Sequence, residues 1–176
     1  MFFVVGRGKR RQKVSKKITL LALLIALSVI GAAIKVPAII GSVAFDVFPA
    51  LIAAGILGGT AGAIVAVLGH LLSALLAGMP LGVLHGMIAV EMALLVVVFS
   101  FFYQKGKVWF AAILFVVGNS FFAPLPFLFI LGNAFYFAMI PSLLIGSTLN
   151  MGIAWGLAPR LAGILSSGFV NRKESI

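Results

Sequence analysis

Residues 18–34 read ITLLALLIALSVIGAAI, an uncharged run closed by Lys17 on one side and Lys35 on the other. A membrane-spanning helix needs about 20 predominantly apolar residues, with a range of about 17–25. The run meets that length and contains nothing ionisable. Immediately before it lie seven of the chain's 13 basic residues: Arg7, Lys9, Arg10, Arg11, Lys13, Lys16 and Lys17. A polybasic segment beside an apolar helix marks the cytoplasmic, anionic-lipid side of a membrane. This placement argues against reading the net charge of +10 as a nucleic-acid footprint. The same arrangement resembles a secretory signal, but Gly31-Ala32-Ala33 is a poor cleavage site and Lys35 follows at once. Cleavage is therefore not expected.

The rest of the chain follows the same logic. Its 176 residues are 63% hydrophobic and 9% charged, with a mean hydropathy of +1.27. Soluble domains carry roughly 45–50% apolar and about 25% charged residues. A water-soluble fold of this size lacks the interior to hide so much apolar surface. A soluble enzyme, a disordered chain and a disulfide scaffold are excluded as classes. The chain has no Cys, which removes thiolate metal sites and Cys nucleophiles. The expected fold is a single all-α membrane domain.

Charges and turn residues divide that domain into six helices, at about 18–34, 47–58, 60–78, 83–103, 108–130 and 135–158. Breaks fall at Gly58-Gly59, at residues 78–82 (GMPLG), at residues 104–107 (QKGK), and from Pro124 through Gly132-Asn133. The second helix is the weakest, being short with Pro49 near its start. Residues 35–46 (KVPAIIGSVAFD) are read as an ordered loop. The domain is taken as residues 18–160, between a basic tail at 1–17 and a second tail at 161–176. With both termini cytoplasmic, twelve basic residues lie inside and only Lys35 outside. That is the asymmetry the positive-inside rule demands.

Several chemistries are missing. The sequence contains no G-x-x-x-x-G-K-[ST], no H-E-x-x-H and no G-x-S-x-G. No ATP site, metal site, cofactor or catalytic residue is expected, and the chain is not read as an enzyme. Polar groups inside the apolar spans are few, and each is a functional candidate by default. At about 1.5 Å per residue, His70 and Glu91 each lie about 12 Å below the outer ends of their helices. Asn119 lies about 16 Å above the inner end of its helix. The three thus share a level, as a pocket with a few placed polar groups in an apolar wall would require. The alternative is an interhelical hydrogen-bond cluster in which Glu91 bonds His70. His85, six positions before Glu91, points about 120° away from it and sits either at the pocket mouth or against a neighbouring helix. Asp46 either pairs with Lys35 as a loop clasp or meets a ligand from above. Asn150 is read as helix–helix glue or a cap. Phe45 and Phe129 head the outer aromatics that could stack on a flat ligand. Ala22 and Ala26, four apart, form a smooth stripe suited to close helix packing.

Three stretches together resemble a known family. They are Ala22-x-x-x-Ala26, the loop at 41–46 (GSVAFD), and residues 69–82 (GHLLSALLAGMPLG). The chain resembles the substrate-binding S-component of an energy-coupling-factor (ECF) vitamin transporter, and is most similar to the branch that carries α-ribazole, the nucleoside of the cobalamin lower ligand. The resemblance implies a multi-pass protein of a bacterial plasma membrane. It also implies a ligand site near the outer face and a coupling module of one transmembrane protein and two ATPases, contacted through Ala22 and Ala26. Candidate ligand-binding residues on this reading are Phe45, Asp46, His70, His85, Glu91, Asn119 and Phe129. Other vitamins, such as pantothenate or hydroxymethylpyrimidine, remain open as ligands, because one fold hosts many. Two other classes also remain: a stand-alone proton-coupled carrier using Glu91 and His70, and a small membrane enzyme or assembly factor.

Overall fold

The computed structural model describes residues 3–37 and 42–170, with side chains for 14–34 and 44–163. Helix α1 (Phe3–Ala33) is followed by a two-stranded antiparallel hairpin, β1 (Lys35–Pro37) and β2 (Ser42–Ala44). The strands pair Lys35 with Ala44, Val36 with Val43 and Pro37 with Ser42. Then come α2 (Phe48–Leu57), α3 (Gly59–Leu76), α4 (Leu84–Gln104) and α5 (Val108–Val117). A single π-helical turn (Gly118–Phe122) leads to the short α6 (Leu125–Ile130) and the long α7 (Asn133–Val170). Among the described residues, and counting Val108–Ile130 as one segment, five helical segments are long and apolar enough to cross a membrane, and Phe48–Leu57 is a shorter apolar helix.

Helix α2 is the centre of the bundle. Its residues Phe48, Pro49, Ala50, Leu51, Ile52, Ala53 and Ala54 are all buried, so the helix has no lipid-facing stripe. It packs on α3, α4, α7 and α1. A helix so enclosed need not span the bilayer, but its end groups must find partners, since hydrocarbon offers none. They find side chains. The Asn150 carboxamide oxygen on α7 accepts the Val47 and Phe48 amides at 3.2 and 3.0 Å. The Asn150 amide nitrogen donates to the carbonyls of Ala44 and Gly146, each at 2.9 Å. Near the other end, the Ala54 carbonyl accepts Ser100 Oγ at 2.8 Å and Gln104 Nε2 at 3.3 Å.

Missing side chains let the helices close. A Cβ on Gly62 would lie 2.6 Å from the Ala54 Cβ and 2.7 Å from Val96, and one on Gly69 would lie 2.6 Å from Ser28. These positions join α3 to α2, α4 and α1. Gly58, at φ 99°, makes the turn between α2 and α3 with no intervening loop.

Three features differ from the sequence reading. The first helix begins at Phe3, well ahead of its apolar span, which at Val14–Ala33 stays close to the expected 18–34; residues 9–17 (KRRQKVSKK) are rich in good helix formers and lengthen the helix. The uniform apolar run at 108–130 is broken, because Gly118 closes on Leu95 and Pro124 and Pro126 lack backbone N–H groups. Helix α7 runs on past residue 158, with Pro141 and Pro159 inside it.

Replacing Asn150 by Ala removes two hydrogen bonds from the start of α2 and one from the end of β2, besides its bond to Gly146 within α7. The expected loss is about 2 kcal/mol or more, read as a lower unfolding midpoint in detergent. Gly62→Val should destabilise through overpacking by about 1–3 kcal/mol, whereas Gly156→Val, with open space around its position, should leave that midpoint unchanged.

Candidate functional site

Several of the described polar side chains contact one another across helices and form a belt, or girdle. It can be followed contact by contact. Asp46 sits between β2 and α2, where the Asn150 cap holds the next residue's amide. Its Oδ2 faces His70 Nδ1 on α3 at 3.8 Å, with both side chains mostly buried. His70 Nε2 meets His85 Nδ1, in the first turn of α4, at 3.1 Å. The two rings lie 5.2 Å apart at 45°. His85 Nε2 in turn faces the Leu81 amide at 3.4 Å. Of the two positions the sequence allows for His85, the structure adopts the one against a neighbouring helix, and the side chain is buried.

In the other direction the belt passes along α7. Ser147 lies one turn from Asn150, and its hydroxyl accepts the Asn119 amide at 2.7 Å. The π turn sets Asn119 there; its own closure is the Ala123 amide on the Gly118 carbonyl at 2.9 Å. Such single-turn bulges reset which side chains face a bundle's interior. Ser120, beside Asn119, returns its hydroxyl to the Val116 carbonyl at 2.6 Å. Gly118 packs on Leu95 of α4, and Glu91 stands one turn along from Leu95 on the same face.

His70 and Asn119 each belong to this run of contacts, Glu91 stands one turn from Leu95, and the three are not bonded to one another. The nitrogens of His70 face Asp46 and His85, and Asn119 serves Ser147. Glu91 makes no described hydrogen bond, and its Oε2 is buried without a partner. The interhelical Glu91–His70 bond weighed from sequence is thus replaced by a His70–His85 bond. Ser28, Ser73 and Ser142 also carry buried hydroxyls without partners. Buried polar atoms are nearly always paired in a finished structure. The unpaired ones here are distributed over α1, α3, α4 and α7.

Other sequence candidates fall in different places. Phe45 is half-buried, and its amide bonds the Gly31 carbonyl at 3.2 Å. Gly31 is required there, because a Cβ would collide with the Phe45 carbonyl. Phe129 is 81% exposed, while Phe127 is the inward residue of α6 at 1%. Phe127 packs on Phe135 at 6.0 Å. Ala22 and Ala26 are exposed on α1, flanked by exposed Leu23 and Ile30, so their stripe does not serve internal packing. The inward face of α1 carries Leu24, Ser28 and Gly31 instead. Asp46 meets His70; the Lys35 side chain of the alternative clasp lies outside the described side chains. Sequence reasoning missed Ser28, Ser73 and Ser147. A hydroxyl in an apolar helix is too common to single out without its neighbours.

At the opposite end, Leu51, Phe99, Tyr103, Met151 and Trp155 line a small apolar cleft with no carboxylate or imidazole. Among the described residues no group of three or more His, Asp or Glu side chains is disposed to hold a metal ion.

Comparison with known proteins gives a family. The family model for the ECF transporter substrate-specific component matches residues 16–169. No curated protein and no solved structure matches the chain. A substrate-specific component serves a small-molecule substrate and works with a coupling module of a membrane protein and ATPases. Five membrane-length apolar segments agree with a multi-pass subunit of that kind. With the match covering most of the sequence, the chain belongs to the ECF transporter substrate-specific component family and is a transport subunit, not an enzyme.

Proposed function

We propose that this chain captures α-ribazole, or a closely similar neutral nucleoside-like vitamin precursor, within the polar girdle that runs through Asp46, His70, Glu91 and Asn119. The observation that carries the reading is Glu91 Oε2, buried and without a partner. No Lys or Arg occurs from residue 36 to 104 or from 108 to 159. The carboxylate therefore has no internal cation to pair with, and a buried unpaired charge is costly. A ligand that presents O–H or N–H donors satisfies it; a carboxylate or phosphate ligand would be repelled. Ribose hydroxyls meet this need, and Asn119 and the free serine hydroxyls supply further partners. Phe45, half-buried beside Asp46, is the aromatic suited to the base. The run at 69–82 that resembles the α-ribazole branch carries His70 and Ser73 and leads to His85. Pantothenate, an acid, fits the absence of cations poorly.

The stand-alone proton-carrier reading has less support. It needs Glu91 and His70 in exchange with each other, and the nitrogens of His70 are engaged by Asp46 and His85.

Two further elements belong to the proposal. The chain crosses the membrane six times in a bacterial plasma membrane, with both termini cytoplasmic and α2 as the short sixth span. The exposed Ala22 and Ala26 stripe meets the coupling module's membrane protein, since small residues on an outward face permit close helix approach.

Calorimetry on the purified chain tests the ligand. Binding of α-ribazole without ATP hydrolysis is expected, against no binding of pantothenate; the reverse would overturn the reading. Glu91→Gln should weaken affinity by about 10- to 100-fold, the worth of a hydrogen bond to a charged group. Unchanged affinity would return Glu91 to a packing role. Ala22→Leu combined with Ala26→Leu should abolish co-purification with the ATPase subunits while leaving ligand binding intact.

A further inference from the structure

The contacts among Leu81, His85, His70 and Asp46 have a direction, and it can be deduced from one end. The Leu81 amide is a donor only, so His85 Nε2, 3.4 Å away, carries no proton. A neutral imidazole then holds its proton on Nδ1, which donates to His70 Nε2 at 3.1 Å. His70 in turn keeps its proton on Nδ1, facing Asp46 Oδ2 at 3.8 Å. Each ring nitrogen has one consistent role, and the line runs from the α3–α4 turn to the carboxylate.

We propose that His70 and His85 are positioning residues that form a proton-operated latch. Its neutral state ties the α3–α4 turn to the loop bearing Asp46, and one added proton releases the turn. The bonding leaves no free place for that proton. On His85 Nε2 it displaces the Leu81 amide directly. On His70 Nε2 it confronts the His85 Nδ1 proton; His85 then accepts at Nδ1 only by carrying its own proton on Nε2, again against Leu81. Both routes break the same bond. Both also put a positive imidazole next to Asp46, or one ring away from it, so the hold shifts from the turn to the carboxylate.

Few other charges surround the imidazoles. Asp46 faces the pair from the loop before α2, and Lys35 on β1 pairs with Ala44, two residues before Asp46. Glu91, further along α4, projects about 120° away from His85. Residues 18–34 of α1, α2 and the rest of α3 contain no ionisable side chain. On α7, Arg160 lies beyond Asn150, toward the far end from Asn133. The turn itself is lightly held. Gly78, Met79 and Gly82 have φ of 83°, 52° and 56°, and a Cβ at either glycine would meet nothing. The consequence for substrate entry rests on the reading of this girdle as the ligand site, whereas the latch is testable without ligand.

The chain has two His, so a histidine-labelled sample gives a two-ring spectrum. The full-length protein, ¹⁵N-labelled at His and ligand-free in lipid nanodiscs, would be titrated from about pH 8 to about pH 5, the interval in which imidazoles charge. Both rings should begin as Nδ1–H tautomers. Amide exchange across residues 78–86 should rise about fivefold or more with the same midpoint as the first ring protonation, as expected for loss of one hydrogen bond. His85→Gln, whose amide can accept from Leu81 and donate to His70 without titrating, should keep the turn protected and abolish the acid step. Nε2–H tautomers, rings that titrate independently, or exchange at 78–86 that ignores the ring midpoint would overturn the latch. If His85→Gln does not fold, the wild-type tautomers and midpoints still decide. Failure of α-ribazole to bind would leave these readouts unchanged.

Discussion

A ten-residue helix enclosed on every side must have its backbone ends satisfied by something other than water. Helix α2 meets that constraint with Asn150 at its start and with Ser100 and Gln104 near its end. Much of the molecule follows from it. Asn150 reaches α2 only if α7 passes beside β2, and the hairpin ends there because the Asn150 amide also takes the Ala44 carbonyl. The same cap fixes the residue after Asp46, which aims the carboxylate at His70 across the bundle. A structural device on α7 thus positions a chemical group on a loop more than 100 residues away.

Close helix approach is the second requirement. Gly62, Gly69 and Gly118 sit where a methyl group would meet Ala54, Ser28 and Leu95. These tight contacts bring α3 against α1 and α2, and the π turn against α4. The π turn after Gly118 then turns Asn119 toward Ser147 while the helix continues. Side chains along the belt bond one another, whereas Glu91, Ser28, Ser73 and Ser142 keep buried polar atoms without partners.

Much of this architecture could be read from sequence, because in a membrane the signals are charge and length. Helices at 60–78 and 83–103 fall within a few residues of α3 and α4 for that reason. Asn150 was readable as glue or a cap, since a lone amide in apolar surroundings must find partners; which partners was not, as they lie 102–106 residues away. The sequence marks a turn from Pro124, but not the π turn at Gly118–Phe122, because a single bulge inside a helix leaves no charge or proline as its signal. His85 was left between two positions because helical phase excludes Glu91 as its companion without naming another. The choice of Phe129 over Phe127 needed the start of α6, which the dense Pro124-Leu125-Pro126 turn obscured. Spacing alone marks the Ala22–Ala26 stripe as a packing face, and only the family resemblance points it outward, where the structure has both residues exposed.

The account as a whole depends on Glu91 receiving a hydrogen-bond donor from outside the chain. A structure of the protein with its bound ligand tests this most directly. The account predicts a neutral or cationic molecule within the girdle, with an O–H or N–H group about 2.7–3.2 Å from a Glu91 carboxylate oxygen. An acidic ligand there, or a ligand bound elsewhere with Glu91 still unpaired, would contradict it.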